Sequence, residues 1–319
     1  MSTSLHTPMN QIPTRRQPGA TCAIVLVGWN NKDYLEPCLQ SLCDTGMRRA
    51  VEVVVVDNGS TDGSQAMLAA QFPHVRLVQN DRNVGLARAS NQGIQCTDAP
   101  FVLLLNNDTL VDGRSLDAMV EFMQATPDAG AVGGTLLNGD GSFQAGYNNF
   151  SSLPEELAIA TRLGELLWPG YPSHRTRGGV RSVDWLSSAC LLLRRSALSQ
   201  VGLLDESYFI YGDEADLQFR LVRAGWKVYY LPDVKTIHFG GRSLDRWRRR
   251  KMVYRGKMLF YRKNYGPLRE YLLRVLFGTL TVAKVGAWSL AWPIPSLKER
   301  ATRELRSNAD VLRLCLKLD

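Results

Sequence analysis

The sequence predicts an α/β protein with a mixed, mostly parallel sheet flanked by helices and a helical extension at the C-terminus. Strand-like and helix-like patterns alternate from residue 21 onward, which is typical of a sheet built from repeated strand–helix units. Two short apolar runs, 53–56 and 101–105, have the composition of strands buried on both faces. Beyond about residue 244 the pattern changes to long helices.

The first part of the chain alternates between the two kinds of element. Strands are predicted at 22–27, 51–56, 75–78 and 101–105, and helices around 35–42, 62–72, 84–95 and 113–125. The first helix has Leu35, Cys38, Leu39 and Leu42 on one face, the i, i+3, i+4, i+7 spacing of an amphipathic helix. Pro73 is expected to end the second helix, because proline has no N–H to donate.

The second part is less regular. A strand is predicted at 131–137, and the segment 138–181, rich in Gly, Pro, Ser and Asn, is expected to form loops around one helix at 155–167. A strand at 183–193, a helix at 213–224 and short strands at 226–231 and 234–238 follow. Gly225 is expected to end the helix as its C′ residue. Three helices are predicted after that, at 246–265, 268–292 and 297–318.

Charge separates the basic C-terminal region from the rest. Residues 242–274 hold twelve Lys and Arg against two acids, a charge of +10, whereas the whole chain has +8. Such a block attracts phosphate, either on nucleic acid or at a lipid surface. We expect a disordered polar lead at 1–20, a sheet domain at 21–243 and a basic and apolar helical region at 244–319.

Composition also limits the classes of protein to consider. The six cysteines are scattered without a C-x-x-C pair, as in proteins of a reducing compartment without structural disulfides or zinc. No stretch reaches the ~18 uncharged apolar residues that a membrane-spanning helix needs. The apolar run that follows Arg15 and Arg16 is short, so a first core strand is favoured over a signal peptide.

Acidic and amide side chains follow two predicted strands at the sheet edge where ligands bind. Asp57 and Asn58 follow one strand, and Asn106, Asn107 and Asp108 follow another. Each group alone is better explained by turn or helix-capping roles. Together they favour a phosphorylated ligand held by hydrogen bonds and by a divalent cation such as Mg²⁺ or Mn²⁺. The carboxylate of Asp57 can also accept the imino N–H of a pyrimidine base.

A second acidic cluster opens the helix predicted at 213. Acids stabilise a helix N-terminus, and Asp216 can pair with Arg220 four residues later. The adjacent Asp213 and Glu214 repel each other unless a ligand or a base role uses them. Because neighbouring like charges raise one pKa, the pair suits a general base.

One histidine and one arginine complete the candidate groups. His238 ends a predicted strand, where its imidazole can join a metal shell, although a lone histidine is more often structural. Arg242 and the glycines before it can approach a diphosphate.

Taken together, these motifs resemble family 2 of the inverting glycosyltransferases, which have the Rossmann-like GT-A fold. The closest resemblance is to bacterial rhamnosyltransferase-like enzymes of cell-surface polysaccharide synthesis. The matching segments keep the family's order over residues 21 to about 243, and they are 25–30, 55–64, 83–93, 103–108, 189–195, 201–206, the acidic helix with 225–226, and His238.

The resemblance implies a role for each matching position. The nucleotide sugar would be bound by Trp29, Asn30, Asp57, Asn58, Asn83, Gly85, Asn106 and Asn107. The metal ion, Mg²⁺ or Mn²⁺, would be held by Asp108 and His238, and the acceptor by Trp185 and Asp216. Glu214 would be the catalytic base, with Asp213 as the runner-up, because the family's Glu-Asp pair is Asp-Glu here. The family's D-x-D-like motif begins with Asn106, which leaves one carboxylate for the metal.

The same resemblance implies the partners and the location. The donor would be dTDP-rhamnose or a UDP-sugar, and the acceptor a saccharide or a polyprenyl-linked saccharide. The C-terminal helices would either contact the inner face of the plasma membrane from the cytoplasm, or pack on each other or in a homodimer. Two alternatives are a sugar-nucleotide-binding protein with impaired catalysis and a nucleic-acid-binding protein that uses the basic block. Nucleic acid is not expected, because it leaves the acids at the sheet edge unexplained.

Overall fold

The computed structural model of the chain describes residues 19–44, 50–161, 179–240 and 246–317. The predicted N-terminal lead, Arg242 and the later part of the helix predicted at 155–167 therefore lie outside the described residues, apart from residues 19 and 20 of the lead.

Twelve strands are present in the described part of the chain, and ten of them form one sheet. They are β1 (Cys22–Gly28), β2 (Val51–Asp57), β3 (Arg76–Gln79), β4 (Phe101–Asn106), β5 (Thr109–Val111), β6 (Ala129–Leu137), β7 (Phe143–Gln144), β8 (Tyr147–Asn148), β9 (Arg181–Val183), β10 (Trp185–Leu186), β11 (Cys190–Arg194) and β12 (Lys227–His238). The main path of the sheet is β3-β2-β1-β4-β11-β6-β12-β5, with β7 beside β6 and β9 beside β12. The strands β8 and β10 form a separate ribbon.

The first four strands of this path run parallel, so their carboxyl ends meet at one edge. In the register, Gly28 lies beside Asp57 and Val27 lies beside Asn106. The next strand, β11, is antiparallel to both of its neighbours, whereas β6 and β12 run parallel to each other. The prediction of a mixed, mostly parallel sheet is confirmed.

Helices cover both faces of the sheet. They are α1 (Lys32–Asp44), α2 (Ser64–Gln71), α3 (Leu86–Gln95), α4 (Gly113–Ala125), α5 (Leu153–Thr161), α6 (Arg195–Val201), α7 (Asp213–Arg223), α8 (Arg246–Asn264), α9 (Pro267–Ala291) and α10 (Lys298–Leu316). On β1, Ile24 and Leu26 join a core with α1, α2 and α4, whereas Val25 joins a core with α3, α6 and α7. Side chains of a strand alternate between faces, so this strand is buried on both, as its composition predicted.

The three C-terminal helices pack against the sheet domain through a third core. Phe260 of α8 and Phe277 of α9 lie in this core, and Phe150 and Phe219 of the sheet domain pack against it. The rings of Phe219 and Phe260 meet edge to face at 5.5 Å between centroids. The helical region therefore contacts α7, the helix that carries the acidic cluster.

Three boundaries differ from the prediction. The strand expected at 183–193 is divided into β9, β10 and β11, because Asp184 turns away to accept a hydrogen bond from the Phe150 N–H at 2.8 Å. The two strands expected at 226–238 form one strand, β12, whose register shifts between Leu231 and Lys235, around a proline that cannot donate to the ladder. Helix α3 begins two residues late because Gly85 has a φ of 93°. The strands β5, β7 and β8 and the helix α6 were not predicted.

The apolar helix α9 also differs from expectation. By length and composition it can cross a membrane, and among the described residues it is the one helix that can. Three of its charged residues, Arg269, Glu270 and Arg274, lie in the first two turns, and Lys284 is the one charged residue in the apolar remainder. One face of the helix is exposed, with large apolar side chains at Leu268, Tyr271, Leu272, Val275, Val282 and Leu290.

Candidate functional site

A cavity of about 530 Å³ opens at the carboxyl edge of the parallel strands. Amide, hydroxyl and aromatic side chains form most of its wall. The predicted site residues on this wall are Trp29, Asn58, Asn83, Asn106, Asn107, Asp108, Glu214 and His238. Its described acidic and basic side chains are Asp108, Glu214, His238 and Arg249. We call this space the main cavity.

Amide groups fix one end of the main cavity. Asn58 is buried, and its Nδ2 donates to Asn83 Oδ1 at 3.0 Å. Its Oδ1 accepts from the Val84 N–H at 3.0 Å and from Asn80 Nδ2 at 3.2 Å. Asn107 donates from Nδ2 to the Val27 carbonyl at 2.8 Å. These bonds hold the loops after three strands together, so the end of the cavity is preformed.

Two of the expected nucleotide contacts, Asp57 and Asn30, do not line the main cavity. Asp57 is 1% exposed, and its Oδ2 accepts from the Ser60 N–H and from Gln65. Its Oδ1 is buried without a hydrogen-bond partner among the described residues. The side-chain oxygen of Asn30 accepts from the Thr61 N–H at 2.7 Å, so this side chain binds the loop that follows Asp57.

Gly85 does not line the cavity either, but it allows a neighbouring segment to pack closely. A Cβ at this position would lie 2.8 Å from the carbonyl oxygen of Phe209, and the positive φ is one that side-chain-bearing residues rarely adopt. The neighbouring Leu86 N–H donates to that same carbonyl at 2.7 Å. Glycine therefore allows the loop before α3 to approach the segment that places Phe209 on the cavity wall.

Asp108 and His238 come together as the sequence predicted. Asp108 Oδ1 and His238 Nε2 are 3.3 Å apart, and Asn106 Nδ2 is also 3.3 Å from the same nitrogen. The other ring nitrogen of His238 lies 2.6 Å from Gln144 Oε1. Gln144 Nε2 donates to the His238 carbonyl at 3.0 Å.

This network fixes the histidine tautomer. Because the Gln144 nitrogen is used as a donor, its oxygen accepts from the Nδ1–H of His238. In the neutral imidazole, Nε2 therefore has the lone pair, and this nitrogen lies 3.3 Å from both Asp108 Oδ1 and Asn106 Nδ2. Two electron-rich atoms at this separation are stabilised by a cation between them, so the pair fits a metal site whose remaining ligands come from a substrate. The described residues contain no cluster of three or more His, Cys, Asp or Glu for a metal.

The acidic pair at the start of α7 is divided between the interior and the cavity. Glu214 is partly buried on the cavity wall, and its Oε2 accepts from the Gly212 N–H at 3.2 Å. Asp213 is 1% exposed and lies beneath the wall. Burial, followed by the charge of Glu214 and a hydrogen bond with it, raises the pKa of Asp213 well above its ordinary value. The raised pKa that we expected for the pair therefore falls on the buried member.

A second cavity of about 240 Å³ adjoins the main one. The two share Tyr211 and Glu214 on their walls. Trp185, the expected acceptor residue, lines this second cavity, together with residues of α5 and α8. Glu214 is thus the acid that faces both spaces among the described residues that line them.

The acceptor role expected for Asp216 is contradicted by its position. Its side chain is completely buried and pairs with Arg220 Nε at 2.9 Å, as the alternative explanation of this acid predicted. Lys263 and Asn264 of α8 also donate to its Oδ1, at 3.1 and 3.0 Å. Asp216 therefore joins α7 to α8 and cannot reach a substrate.

Sequence reasoning missed several residues of the main cavity, among them Gln144, Tyr211 and Arg249. Gln144 lies in the segment that we assigned to loops, and Tyr211 precedes the acidic pair with a φ of 66°. Arg249 belongs to the basic block, for which we predicted contacts with nucleic acid or a lipid surface and not with this cavity. Nothing local in the sequence distinguishes Arg249 from the arginines on either side of it.

Comparisons with known proteins show which sequences this chain is similar to. The sequence profile of "Glycosyl transferase family 2" matches residues 23–202. The N-acetylglucosaminyl-diphospho-decaprenol L-rhamnosyltransferase of Mycobacterium tuberculosis is 35% identical over 240 residues, which cover 70% of this chain and 77% of that protein. The O-antigen biosynthesis protein RfbC of Myxococcus xanthus is 30% identical over 240 residues, which cover 71% of this chain and 18% of that protein.

Two solved structures share the fold at low sequence identity. A mannosyltransferase from Pyrobaculum calidifontis, in complex with GDP-Man and Mn²⁺, has a TM-score of 0.55 and 17% identity, covering 98% of this chain and 90% of its own. GalNAc-T7, with UDP, GalNAc and Mn²⁺, has a TM-score of 0.58 and 14% identity, covering 94% of this chain and 56% of its own. The GT-A fold that the resemblance implied is confirmed.

Proposed function

Because the chain belongs to glycosyl transferase family 2, we propose that it moves a sugar from a nucleoside diphosphate to a saccharide or polyprenyl-linked acceptor, with inversion at the anomeric carbon. Rhamnose is the first candidate, since the relative from M. tuberculosis is named as a rhamnosyltransferase that acts on a decaprenol-linked sugar. The donor to test first is dTDP-rhamnose, followed by UDP-sugars. The name of the M. xanthus relative supports a place in cell-surface polysaccharide synthesis.

The position of Glu214 is the observation that most supports this proposal. One carboxylate faces two adjoining cavities, and an inverting transfer needs one base between a donor and an acceptor. A base placed there can take a proton from a hydroxyl in one cavity while the hydroxyl oxygen attacks a carbon in the other.

In the proposed reaction, Glu214 takes the proton of the acceptor hydroxyl as its oxygen bonds to the anomeric carbon. The bond from that carbon to the diphosphate oxygen breaks, and its electron pair leaves with the diphosphate. Attack from the face opposite the leaving group inverts the configuration. Asp213 stays protonated in its buried position, which keeps the negative charge of the pair on Glu214.

Asp108 and His238 are the residues that would hold Mg²⁺ or Mn²⁺. The short distance between Asp108 Oδ1 and His238 Nε2, 3.3 Å, supports this assignment. Bound there, the ion supplies positive charge that stabilises the leaving diphosphate. Gln144 contacts Nδ1 of His238 and so leaves Nε2 to face the site, where Asn106 Nδ2 lies 3.3 Å from it.

We assign the nucleotide to the end of the main cavity that Trp29, Asn58 and Asn83 line. The unpartnered Oδ1 of Asp57, just behind these residues, is an acceptor for the imino N–H of a pyrimidine base. We propose that Asn30 and Gly85 support this end without contacting the nucleotide. Asn107, tied to Asn31 and Val27, has the same supporting role.

The acceptor belongs in the second cavity. Trp185, Phe150 and Phe260 give it aromatic walls, and Asn149 and Glu155 give it polar groups. Aromatic faces with a few polar groups are typical of sites for small molecules that have both apolar and hydroxyl-bearing faces. A saccharide with a lipid tail has this character.

The exposed face of α9 is proposed to meet the cytoplasmic leaflet of the membrane, where a polyprenyl-linked acceptor resides. Basic and aromatic groups lie together at its end, with Lys298 5.0 Å from the Trp292 ring and Arg300 5.4 Å from the Trp288 ring. Apolar faces flanked by tryptophan and cationic groups are characteristic of helices that lie in a membrane interface. A homodimer that covers the same face is the competing arrangement.

The other functions receive less support. Several charges of the basic block are used inside the protein, as in the pairs Arg250–Glu304, Lys257–Glu156 and Arg274–Glu270 at 2.6–2.9 Å. They are therefore not available to a nucleic acid. A sugar-nucleotide-binding protein without catalysis would bind the donor and transfer nothing, so an activity assay separates it from the enzyme.

The substitution Glu214→Gln tests the proposal. Glutamine keeps the size of the side chain and cannot take the proton, so we expect at least ~100-fold slower transfer with nearly unchanged donor affinity. A thermal-shift panel of dTDP-, UDP- and GDP-sugars with and without Mn²⁺ selects the donor, and transfer to a polyprenyl-linked saccharide is then measured. Glu299→Gln, at an exposed position on α10, is the control. Near-normal turnover of Glu214→Gln would contradict the base assignment.

A further inference from the structure

Arg249 reaches the main cavity from the C-terminal region. It belongs to α8, outside the sheet domain, and lies on the same wall as Asp108, Glu214 and His238. Among the described residues that line this cavity, it is the one arginine or lysine. The cavity that takes the donor therefore has a permanent positive charge supplied by a segment that the family's shared motifs do not include.

The surroundings of Arg249 leave part of its guanidinium unused. Its Nε is buried and has no hydrogen-bond partner within the described part of the chain. Its contact in the cavity is Tyr211, whose pKa is raised by burial and lowered in part by the charge of Arg249 and a hydrogen bond with it. A buried donor without an acceptor is uncommon in folded proteins and indicates a missing partner.

The charges of the cavity specify what that partner is. The wall carries the carboxylates of Asp108 and Glu214, yet neither accepts a described hydrogen bond from Arg249. An anionic ligand in this space needs cationic donors, and a guanidinium offers a planar pair of N–H groups that matches two phosphate oxygens. Tyr211, with which Arg249 forms a hydrogen bond, lies three residues before Glu214 on the same cavity wall.

We propose that Arg249 binds the diphosphate of the donor and stabilises it as it leaves. This inference rests on the proposed function and adds a residue to it. The guanidinium transfers no proton: the bond between the anomeric carbon and the diphosphate oxygen breaks, and Arg249 donates hydrogen bonds to the phosphate oxygens, which gain negative charge. The helical C-terminal region is then part of the donor site.

Binding of dTDP and of thymidine to the full-length chain tests the inference. We expect Arg249→Met to weaken dTDP binding about ten- to hundredfold, because a charged hydrogen-bonding partner of the phosphates is lost. Thymidine, which has no phosphate, should bind as before. Arg249→Lys should recover part of the dTDP affinity, since lysine keeps the charge without the planar pair of donors. Arg255→Met, an exposed arginine of the same helix, should bind both ligands like the wild type.

The outcomes separate this inference from the function on which it rests. Wild-type protein that binds no nucleoside diphosphate would overturn the proposed function, and the inference with it. Wild-type binding together with unchanged dTDP affinity in Arg249→Met would overturn the inference alone. An equal loss of dTDP and thymidine affinity, with a lower melting temperature, would mean that Arg249 only supports Tyr211. If Arg249→Met does not fold, Arg249→Lys decides the question by the same comparison.

Discussion

Asp213 and Glu214 are adjacent in the chain but lie in different environments. Glu214 faces two cavities, whereas Asp213 is buried beneath them with one carboxyl oxygen unpartnered in the described part of the protein. Two carboxylates this close cannot both be charged without a large penalty, so the proton stays on the member that has less access to water. The order of the pair in the sequence does not reveal which member this is.

The pH dependence of stability should report the proton on Asp213. Its pKa is raised in the folded protein, so the folded state holds a proton that the unfolded state loses above the ordinary value of 3.8. Stability from this group is therefore present at low pH and lost as the pH rises towards the folded pKa. In Asp213→Asn this loss is absent. We expect its melting temperature, relative to wild type, to increase as the pH rises above the ordinary pKa of 3.8.

Asp233→Asn provides the control, because Asp233 is exposed. Its melting temperature relative to wild type should not follow this trend. Transfer by Asp213→Asn should also fall far less than transfer by Glu214→Gln, since asparagine can still donate a hydrogen bond to Glu214. A constant difference in melting temperature across the pH range would argue against a protonated Asp213.

Among the helices, α8 packs against the turn that precedes Glu214 and so helps to fix its position. Tyr211 and Gly212, just before Glu214, have left-handed φ values of 66° and 99°. Gly256 of α8 packs on this turn so closely that an added Cβ would lie 2.2 Å from the Tyr211 carbonyl oxygen. Lys263 and Asn264, two turns later, hold the buried Asp216 of α7. The helix therefore clamps both the turn and the helix that follows it.

The substitution Gly256→Ala should separate α8 from this turn. The added methyl group meets backbone atoms, which cannot rotate away, so the turn or the helix must shift. We expect a loss of about 1–3 kcal/mol of stability and a larger fall in transfer than in nucleotide binding. Gly286→Ala in α9 is the matched control: its Cβ meets nothing within 4 Å, and alanine favours a helix by about 1 kcal/mol. If Gly256→Ala transfers sugar at the wild-type rate, the close packing of α8 on the turn before Glu214 is not needed for transfer.

At the scale of the whole molecule, the three C-terminal helices connect the two cavities to an exposed apolar face. The inner side of α8 lines both cavities, and the outer side of α9 presents Leu268, Val275, Val282 and Leu290 to solvent. An apolar surface of this kind usually marks an interaction site. A lipid-linked acceptor would be delivered from this side of the molecule.

Flotation with liposomes that contain anionic lipid tests the membrane contact. We expect the wild type to float at low salt and the double variant Val275→Glu, Val282→Glu to remain in the soluble fraction, because two charges on the apolar face oppose its burial. Val180→Glu, an equally exposed apolar position elsewhere on the surface, should float like the wild type.

The competing arrangement gives a different result. If a second copy of the chain covers this face, the wild type will sediment as a dimer without lipid and the double variant as a monomer. Absence of flotation at low salt would remove the membrane proposal.

Much of the site could be predicted because its residues follow strands at one sheet edge. Asp108 and His238 meet as predicted although 130 positions apart in the chain, since β4 and β12 both end at the cavity. Local patterns could not predict that Asp57 and Asp216 would be buried. In both cases the packing of other segments, Gln65 against Asp57 and α8 against Asp216, determines what the carboxylate contacts.

The sequence by itself determined the class of fold, the main strands and helices of the sheet domain, and the family, because hydrophobic periodicity and motif order are local properties of the chain. Only the tertiary structure decided which acid of the adjacent pair faces the two cavities, that Gln144 orients His238, and that Arg249 enters the main cavity. These depend on contacts between segments far apart in the chain, and such contacts are set by how the helices pack rather than by any pattern near the residues themselves.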